Sequence, residues 1–214
     1  MRTPKAGEPA RRLPRAFYDR PTLEVARDLL GKVLVHRRGR VETSGIIVEV
    51  EAYIGESDPA CHAAPGPTRR NAPLYGVPGF AYVYLNYGIH YLVNVVTEAE
   101  GQPAAVLVRA LAPLDGVPTM RRRRGAVHGA RSGPQVAATD LCRGPGNLTV
   151  AMGITLAQNR ADLTGDRLFL EDRGMTVPSI AWSRRIGIRV GTDRLWRAYV
   201  EGHPAVSGRR PGVT

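Results

Sequence analysis

Residues 46–55 read Ile46-Ile-Val-Glu-Val-Glu-Ala-Tyr-Ile-Gly55, and the fold turns on how this stretch is read. Its alternation predicts a strand over residues 45–54. On strict two-residue periodicity Ile46, Val48, Val50, Ala52 and Ile54 share one face, and Ile47, Glu49, Glu51 and Tyr53 share the other. The first face is all that a buried sheet needs. The second sets carboxylates beside an aromatic ring, the combination required of a site that holds a flat substrate and activates water next to it.

Working outward, alternation predicts further strands at residues 32–36, 80–84, 91–96 and 104–110, and again at 167–170 and 186–190. Residues 21–30 read as a helix: Pro21 suits its first turn, Leu23, Ala26 and Leu30 recur at helical spacing, and Gly31 suits the end. Residues 55–79 are loop-rich, with Pro59, Pro65, Pro67, Pro73 and Pro78. Residues 120–139, which include Arg121-Arg-Arg-Arg124, read as an exposed basic loop. Residues 140–162 read as short helical turns around Arg143-Gly-Pro-Gly146. The sum is an α+β fold, a single compact domain whose curved, mostly antiparallel sheet is flanked by helices. The length of 214 residues fits one domain. Residues 1–15 are expected as a disordered basic arm, 16–208 as the domain and 209–214 as a tail.

The formal net charge is +11, from 30 basic against 19 acidic residues. Lys5 and Lys32 are the only lysines. A genomic preference for arginine codons explains the ratio of arginine to lysine but not the excess of bases over acids. That excess points to a polyanionic partner, and nucleic acid is the commonest. Cys61 and Cys142 lie far apart without metal-binding spacing, which fits a reducing cytoplasm. The basic, proline-containing start has no apolar core of a secretory signal, and no apolar run reaches membrane-spanning length. The five histidines lack ligand spacing, so no metal is expected. The glycine patterns of nucleotide-binding loops are missing, so no cofactor is expected either.

Within this frame Glu51 is the leading general base, because hydrolysis needs an ionised carboxylate within reach of the attacking water. Glu49, two residues away on the same face, competes for the role. Arg109, a charge at the end of an apolar strand, reads as a buried partner for Glu51 or for a phosphate. His62 adjoins the basic Thr68-Arg-Arg-Asn71 and reads as a support or as a group that orients substrate. Tyr82, Tyr84, Tyr87 and Tyr91 fall within ten residues. Tyr82 and Tyr84 share a strand face. Tyr87 sits in a turn before Gly88, from which an aromatic ring can wedge into a base stack. Arg143-Gly-Pro-Gly146-Asn147 reads as a tight loop that can face a phosphate.

At these residues the chain resembles the alkyladenine (3-methyladenine) DNA glycosylases, the human-type monofunctional base-excision enzymes. The segments that carry the resemblance are Leu29-Leu-Gly-Lys32, Glu49-Val-Glu-Ala-Tyr-Ile-Gly55, Asp58-Pro-Ala-Cys-His62, Thr68-Arg-Arg-Asn71, Tyr82-Val-Tyr84, Tyr87-Gly88, Asn94, Leu107-Val-Arg-Ala-Leu111 and Leu141-Cys-Arg-Gly-Pro-Gly146. A weaker match runs from Arg197 to Ser207. The resemblance implies that Glu51 activates the hydrolytic water and that Arg109 helps to hold it. It implies that Tyr53 and Tyr84 flank the flipped base, that His62 packs against it, and that Asn94 obstructs a guanine amino group. It makes Tyr87 the wedge in the minor groove, and Arg69, Arg70 and Arg143 contacts to the DNA backbone. The partner is then double-stranded DNA containing damaged purines, met by a monomer that uses neither metal nor cofactor. Asn86 and His90, the stretch between Asn94 and Arg109, and residues 120–139 depart from the family pattern. The alternative is a nucleic-acid-binding domain without catalysis. A zinc base deaminase is excluded, because its His-x-Glu and Pro-Cys-x-x-Cys signatures are both missing.

Overall fold

A computed structural model describes residues 10–128 and 136–208. In chain order these form β1 (Arg11–Arg12), α1 (Arg15–Tyr18), α2 (Thr22–Leu29), β2 (Val33–Arg38), β3 (Val41–Ile54), β4 (Ala81–Asn86), β5 (His90–Val96), β6 (Ala104–Pro113), α3 (Val117–His128), α4 (Pro145–Met152), β7 (Leu168–Asp172), β8 (Ile180–Ser183) and β9 (Arg197–Val200). The strands join in one open sheet of nine, in the order β1-β7-β2-β3-β6-β5-β4, with every pair antiparallel. β9 pairs with the second half of β3 and carries β8 on its outer side. This is the α+β architecture expected from the sequence. Among the described residues no helix is long and apolar enough to cross a membrane.

β3 is the spine. At fourteen residues it is long enough to pair with β6 along one edge and with two strands in succession along the other. Its register slips midway. Ile47 faces Leu111, Glu49 faces Ala110 and Val50 faces Val108, so Val48 on β3 and Arg109 on β6 are each an extra, unpaired residue. The two bulges compensate, and each re-aims the side chain it carries. Strict alternation therefore fails at one point. Ile47 and Val48 both enter the main core with Val50 and Ala52, whereas Ile46 joins a separate cluster with Val33, Val35 and Phe169. Beyond the bulge the expected pattern resumes.

The helices cover the core face. α2 buries Thr22, Val25, Ala26 and Leu29 at the spacing of one helical stripe, with Pro21 at its N-cap rather than in its first turn. Leu148, Ala151 and Met152 of α4 lie in the same core. Three expectations need correction. Residues 1–9 and 209–214 lie outside the described residues, but the stretch from Ala10 to Arg15 is not a loose arm. Arg11 and Arg12 pair with β7, Leu13 is buried, and Arg15 bonds Asp162 at 2.7 Å. The run at 120–139 is a helix as far as His128, and residues 129–135 lie outside the description. Its arginines hide one buried stripe: Met120 is fully covered, and Arg124 is buried with Nη1 donating to the Leu141 carbonyl at 3.2 Å. Arginine stems pack as apolar surface while their heads find carbonyls, which a count of charges cannot reveal. The strand expected at 186–190 is irregular backbone. Gly187 and Gly191 adopt φ of 80° and 60°, and the neighbouring strands are Ile180–Ser183 and Arg197–Val200 instead.

Gly116 turns the chain from β6 into α3 at φ +74°, and a Cβ there would stand 2.4 Å from the Glu42 carbonyl oxygen. Neither the left-handed backbone nor the β3 carbonyl can yield cheaply. Gly116→Ala should therefore lower stability by about 2–4 kcal/mol in urea unfolding, with the m-value unchanged.

Candidate active site

Glu49, Glu51 and Tyr53 project from the same side of β3, opposite the main core, and both glutamates are fully buried. Arg109, aimed by its bulge, lies between the carboxylates. Its Nε donates to Glu49 Oε1 at 2.9 Å, its Nη1 to Glu51 Oε2 at 3.1 Å and its Nη2 to Ser207 Oγ at 3.3 Å. Burial works against the guanidinium charge, but the two carboxylates outweigh it and raise the Arg109 pKa.

The two glutamates have different surroundings. Glu49 Oε1 also accepts from Arg197 Nε at 2.7 Å and Ser207 Oγ at 2.8 Å, and Oε2 accepts from the Ser207 N–H at 2.6 Å. A carboxylate offers about four lone-pair positions; on Glu49 three donors meet Oε1 and one meets Oε2. Burial alone would raise its pKa, yet Arg109 and Arg197 prevail and hold it below the usual carboxylate range. Glu51 receives three donors: Arg109 and the Tyr53 hydroxyl (2.9 Å) on Oε2, and the Ile186 N–H (2.7 Å) on Oε1. Among the described residues this leaves about one acceptor position open. The two carboxylates differ in where their donors lie: Tyr53, Arg109 and Ile186 around Glu51 all line a cavity, whereas Arg197 and Ser207 around Glu49 do not.

In front of Glu51 lies a cavity of about 500 Å³, within the span of about 300–1,000 Å³ common for small-ligand sites. Tyr53 and Arg109 form part of its wall, together with His62, Tyr82, Tyr84, Tyr87, Asn94, Ile186 and the Gly144–Asn147 turn at the start of α4. The aromatic side is rigid. His62 Nδ1 and the Tyr82 hydroxyl are 2.9 Å apart, and the His62 and Tyr84 rings meet edge-on with centres at 4.4 Å. Burial, reinforced by Arg70, lowers the His62 pKa and keeps the imidazole neutral near pH 7. The Asn94 amide donates to the Tyr82 carbonyl at 3.0 Å, which fixes its orientation on the wall.

Tyr87 heads a three-residue hairpin tip between the paired Asn86 and His90. It is 82% exposed and sits at φ 49°, a conformation that bulky residues rarely take. Arg69 and Arg70 are exposed beside this side of the cavity. The Arg70 guanidinium lies 5.9 Å from the Tyr84 ring centre and bonds the Leu85 carbonyl at 3.3 Å. Arg143 is placed otherwise. Its Nε and Nη2 bond the carbonyls of Val206 and Gly208, each at 2.9 Å. It thereby grips the two residues that flank Ser207, the ligand of Glu49.

A family model described as methylpurine-DNA glycosylase matches residues 16–204. The chain belongs to the methylpurine-DNA glycosylase family. Relatives bearing the provisional name 3-methyladenine DNA glycosylase include proteins of Methanocella arvoryzae, 50% identical over 94% of this chain and 98% of the relative, and of Chlorobium phaeobacteroides, 48% identical over 92% and 95%. The protein from Chlorobaculum tepidum is 44% identical over 94% and 93%. As a DNA glycosylase, the protein hydrolyses N-glycosyl bonds of DNA in base-excision repair.

Sequence reading left unassigned several groups that build the candidate site: Ile186, Arg185, Asp58, Arg197 and Ser207. Ile186 contributes a main-chain N–H, which no side-chain pattern encodes. Arg197 and Ser207 lie within the weaker C-terminal match and gain meaning only when β9 pairs with β3. In this glycosylase Glu49→Gln should leave Arg109 and Arg197 poorly neutralised and cost about 3–5 kcal/mol at pH 7. The folded-state pKa of Glu49 is depressed, so its contribution is present above the unfolded value and lost as pH falls through the folded one. Urea titrations of parent and variant should therefore converge as pH drops below the ordinary carboxylate range.

Proposed function

We propose that the protein excises alkylated and deaminated purines of the 3-methyladenine, 7-methylguanine, hypoxanthine and ethenoadenine class from duplex DNA, leaving an abasic site. The observation that carries this reading is the junction of cavity and carboxylate. Tyr53 and Arg109 line the cavity, and each bonds the same oxygen of a buried Glu51 behind it. A flat base stacked on the ring would bring its sugar toward the carboxylate that the cavity wall itself holds.

Exposed arginines, Arg69 and Arg70 among them, hold phosphates without reading sequence. Tyr87 enters the stack from the minor groove and fills the place of the nucleotide that rotates out. Base–aromatic stacking contributes about 1–3 kcal/mol, comparable to the cost of unstacking, which damage makes smaller. In the cavity the base lies against Tyr53 and Tyr84, supported by His62, while the anchored Asn94 amide opposes a guanine amino group. As the C1′–N bond lengthens, positive charge grows on the sugar and the bonding electron pair leaves with the base. A water oxygen bonds C1′, its proton passes to Glu51, and the carboxylate charge stabilises the developing cation. Cationic methylated bases gain from the faces of the tyrosines. Neutral bases need a proton as they depart.

The enzyme acts as a monomer and without a lyase step. A Schiff-base route needs a free amine; Lys32 is paired with Asp172 at 2.5 Å, Lys5 and the N-terminus lie outside the described residues, and borohydride trapping of a covalent DNA adduct on either would overturn this reading. Glu51→Gln should lower single-turnover excision by at least about 10²-fold while binding to lesion duplex persists. Excision at the parental rate would move the base role elsewhere. Tyr87→Ala should weaken lesion-duplex binding about tenfold, within the range of one lost stacking contact. Its thermal midpoint should be nearly unchanged, because the side chain is exposed and alanine keeps the same Cβ in the same left-handed backbone. Fluorescence of 2-aminopurine beside the lesion reports the lost insertion.

A further inference from the structure

Among the described residues one further ion pair has both side chains wholly out of solvent, and it lies directly behind the cavity. Arg185 Nη1 meets Asp58 Oδ2 at 2.6 Å and Nη2 meets Oδ1 at 2.8 Å, a two-pronged fork. The same nitrogens reach the Ala52 carbonyl at 3.0 Å and the Gly191 carbonyl at 3.3 Å. The guanidinium carbon stands 4.6 Å from the centre of the Tyr53 ring and 5.2 Å from that of Trp196. Nε is buried without a partner.

Such an arrangement is a poor choice if packing were the only need. Burying two charges costs several kcal/mol each, and apolar residues of equal volume commonly serve stability as well or better. What the fork does accomplish is positional. Ala52 separates Glu51 from Tyr53 on β3. Asp58 begins the turn that leads to Cys61 and His62 on the cavity wall. Ile186, next in chain to Arg185, donates its N–H to Glu51 Oε1. The loop that carries Ile186 has no strand pairing of its own, and two left-handed glycines interrupt it. The fork ties this loop to the Asp58 turn immediately beside Ile186, and Arg194 adds a second tie further along through the Ser57 carbonyl at 3.0 Å.

We propose that Arg185 is a positioning residue for the hydrolytic step. Held by Asp58, it keeps the Ile186 N–H on Glu51 and sets the Tyr53 ring against which the base rests. This rests on the reading of Glu51 as the group that directs the water. The fork is specific to arginine, because lysine keeps the charge but cannot span both carboxylate oxygens and two carbonyls.

The test compares Arg185→Lys, Glu51→Gln and the double variant. Excision is followed under single-turnover conditions on dimethyl-sulfate-treated duplex, and binding is followed to duplex carrying a tetrahydrofuran abasic analogue. Arg185→Lys should bind within about threefold of the parent yet excise about ten- to a hundredfold more slowly, the range for one hydrogen bond to a charged group. In the Glu51→Gln background it should cause no further loss, because it acts through Glu51. A purely structural residue would instead lower binding and excision together, or multiply the loss in the double variant, and either result overturns the proposal. So does an Arg185→Lys protein that excises at the parental rate. If that variant does not fold, replacing the Arg185–Ile186 amide with an ester removes the N–H donor to Glu51 and leaves every side chain in place. A tenfold or greater loss then supports the proposal, and an unchanged rate overturns it. Parental excision by Glu51→Gln would sink the reading of Glu51 itself, an outcome that Arg185→Lys alone cannot produce.

Discussion

Three charges, Glu49, Arg109 and Glu51, are buried side by side in the middle of the sheet, and none can stand there alone. An isolated ion in such a place would be expelled or neutralised, since its loss of hydration costs several kcal/mol even after relaxation. Much of the remaining chain is arranged to prevent that. β9 brings Arg197 to Glu49, and the segment beyond it supplies Ser207 as both hydroxyl and N–H donor. Arg143 then secures Ser207 from either side through the carbonyls of Val206 and Gly208. The C-terminal quarter of the molecule thus closes over the charges that β3 and β6 expose.

The outcome is two carboxylates on one strand in different surroundings. Glu49 receives its four donors from Arg109, Arg197 and Ser207. Glu51 shares Arg109 with it and stands behind the part of the cavity wall formed by Tyr53 and Arg109. Tyr82 and Tyr84 on the aromatic side of the cavity and the exposed tip at Tyr87 belong to the same hairpin, β4–β5. One hairpin therefore joins the surface that would meet DNA to the pocket that would hold the base.

Much of this was legible in the sequence, and the losses have specific causes. The strands at β2 to β7 declared themselves by alternation, and α2 by its spacing. Tyr53, His62, Tyr84, Asn94 and Arg109, singled out from residue type, position or family resemblance, line one cavity, and Glu51 lies fully buried behind its wall, bonded to Tyr53 and Arg109. The helix α3 stayed hidden because arginine was counted as charge, although its stem packs as hydrocarbon. The segment at 186–190 imitates a strand in its apolar alternation, but its left-handed glycines and a main-chain hydrogen bond to Glu51 make it a wall of the site. Arg143 was read as facing DNA because a glycine-rich turn follows it. In the structure that turn lines the cavity, while the side chain faces the protein's own carbonyls. Main-chain donors and side chains that bind backbone leave little trace in a one-dimensional pattern.

The paired bulges at Val48 and Arg109 also bear on how this chain can change by descent. Losing one residue from β3 at this point would send Glu49, Glu51 and Tyr53 into the hydrocarbon interior and turn Val50 and Ala52 outward. A matching loss from β6 would restore the ladder but discard the re-aimed arginine. Neither strand can alter its length by itself, and both together cannot without abolishing the charge between the carboxylates. Insertions and deletions in this lineage should therefore fall in the connecting loops, while the span from Ile46 to Ile54 keeps its residue count unchanged.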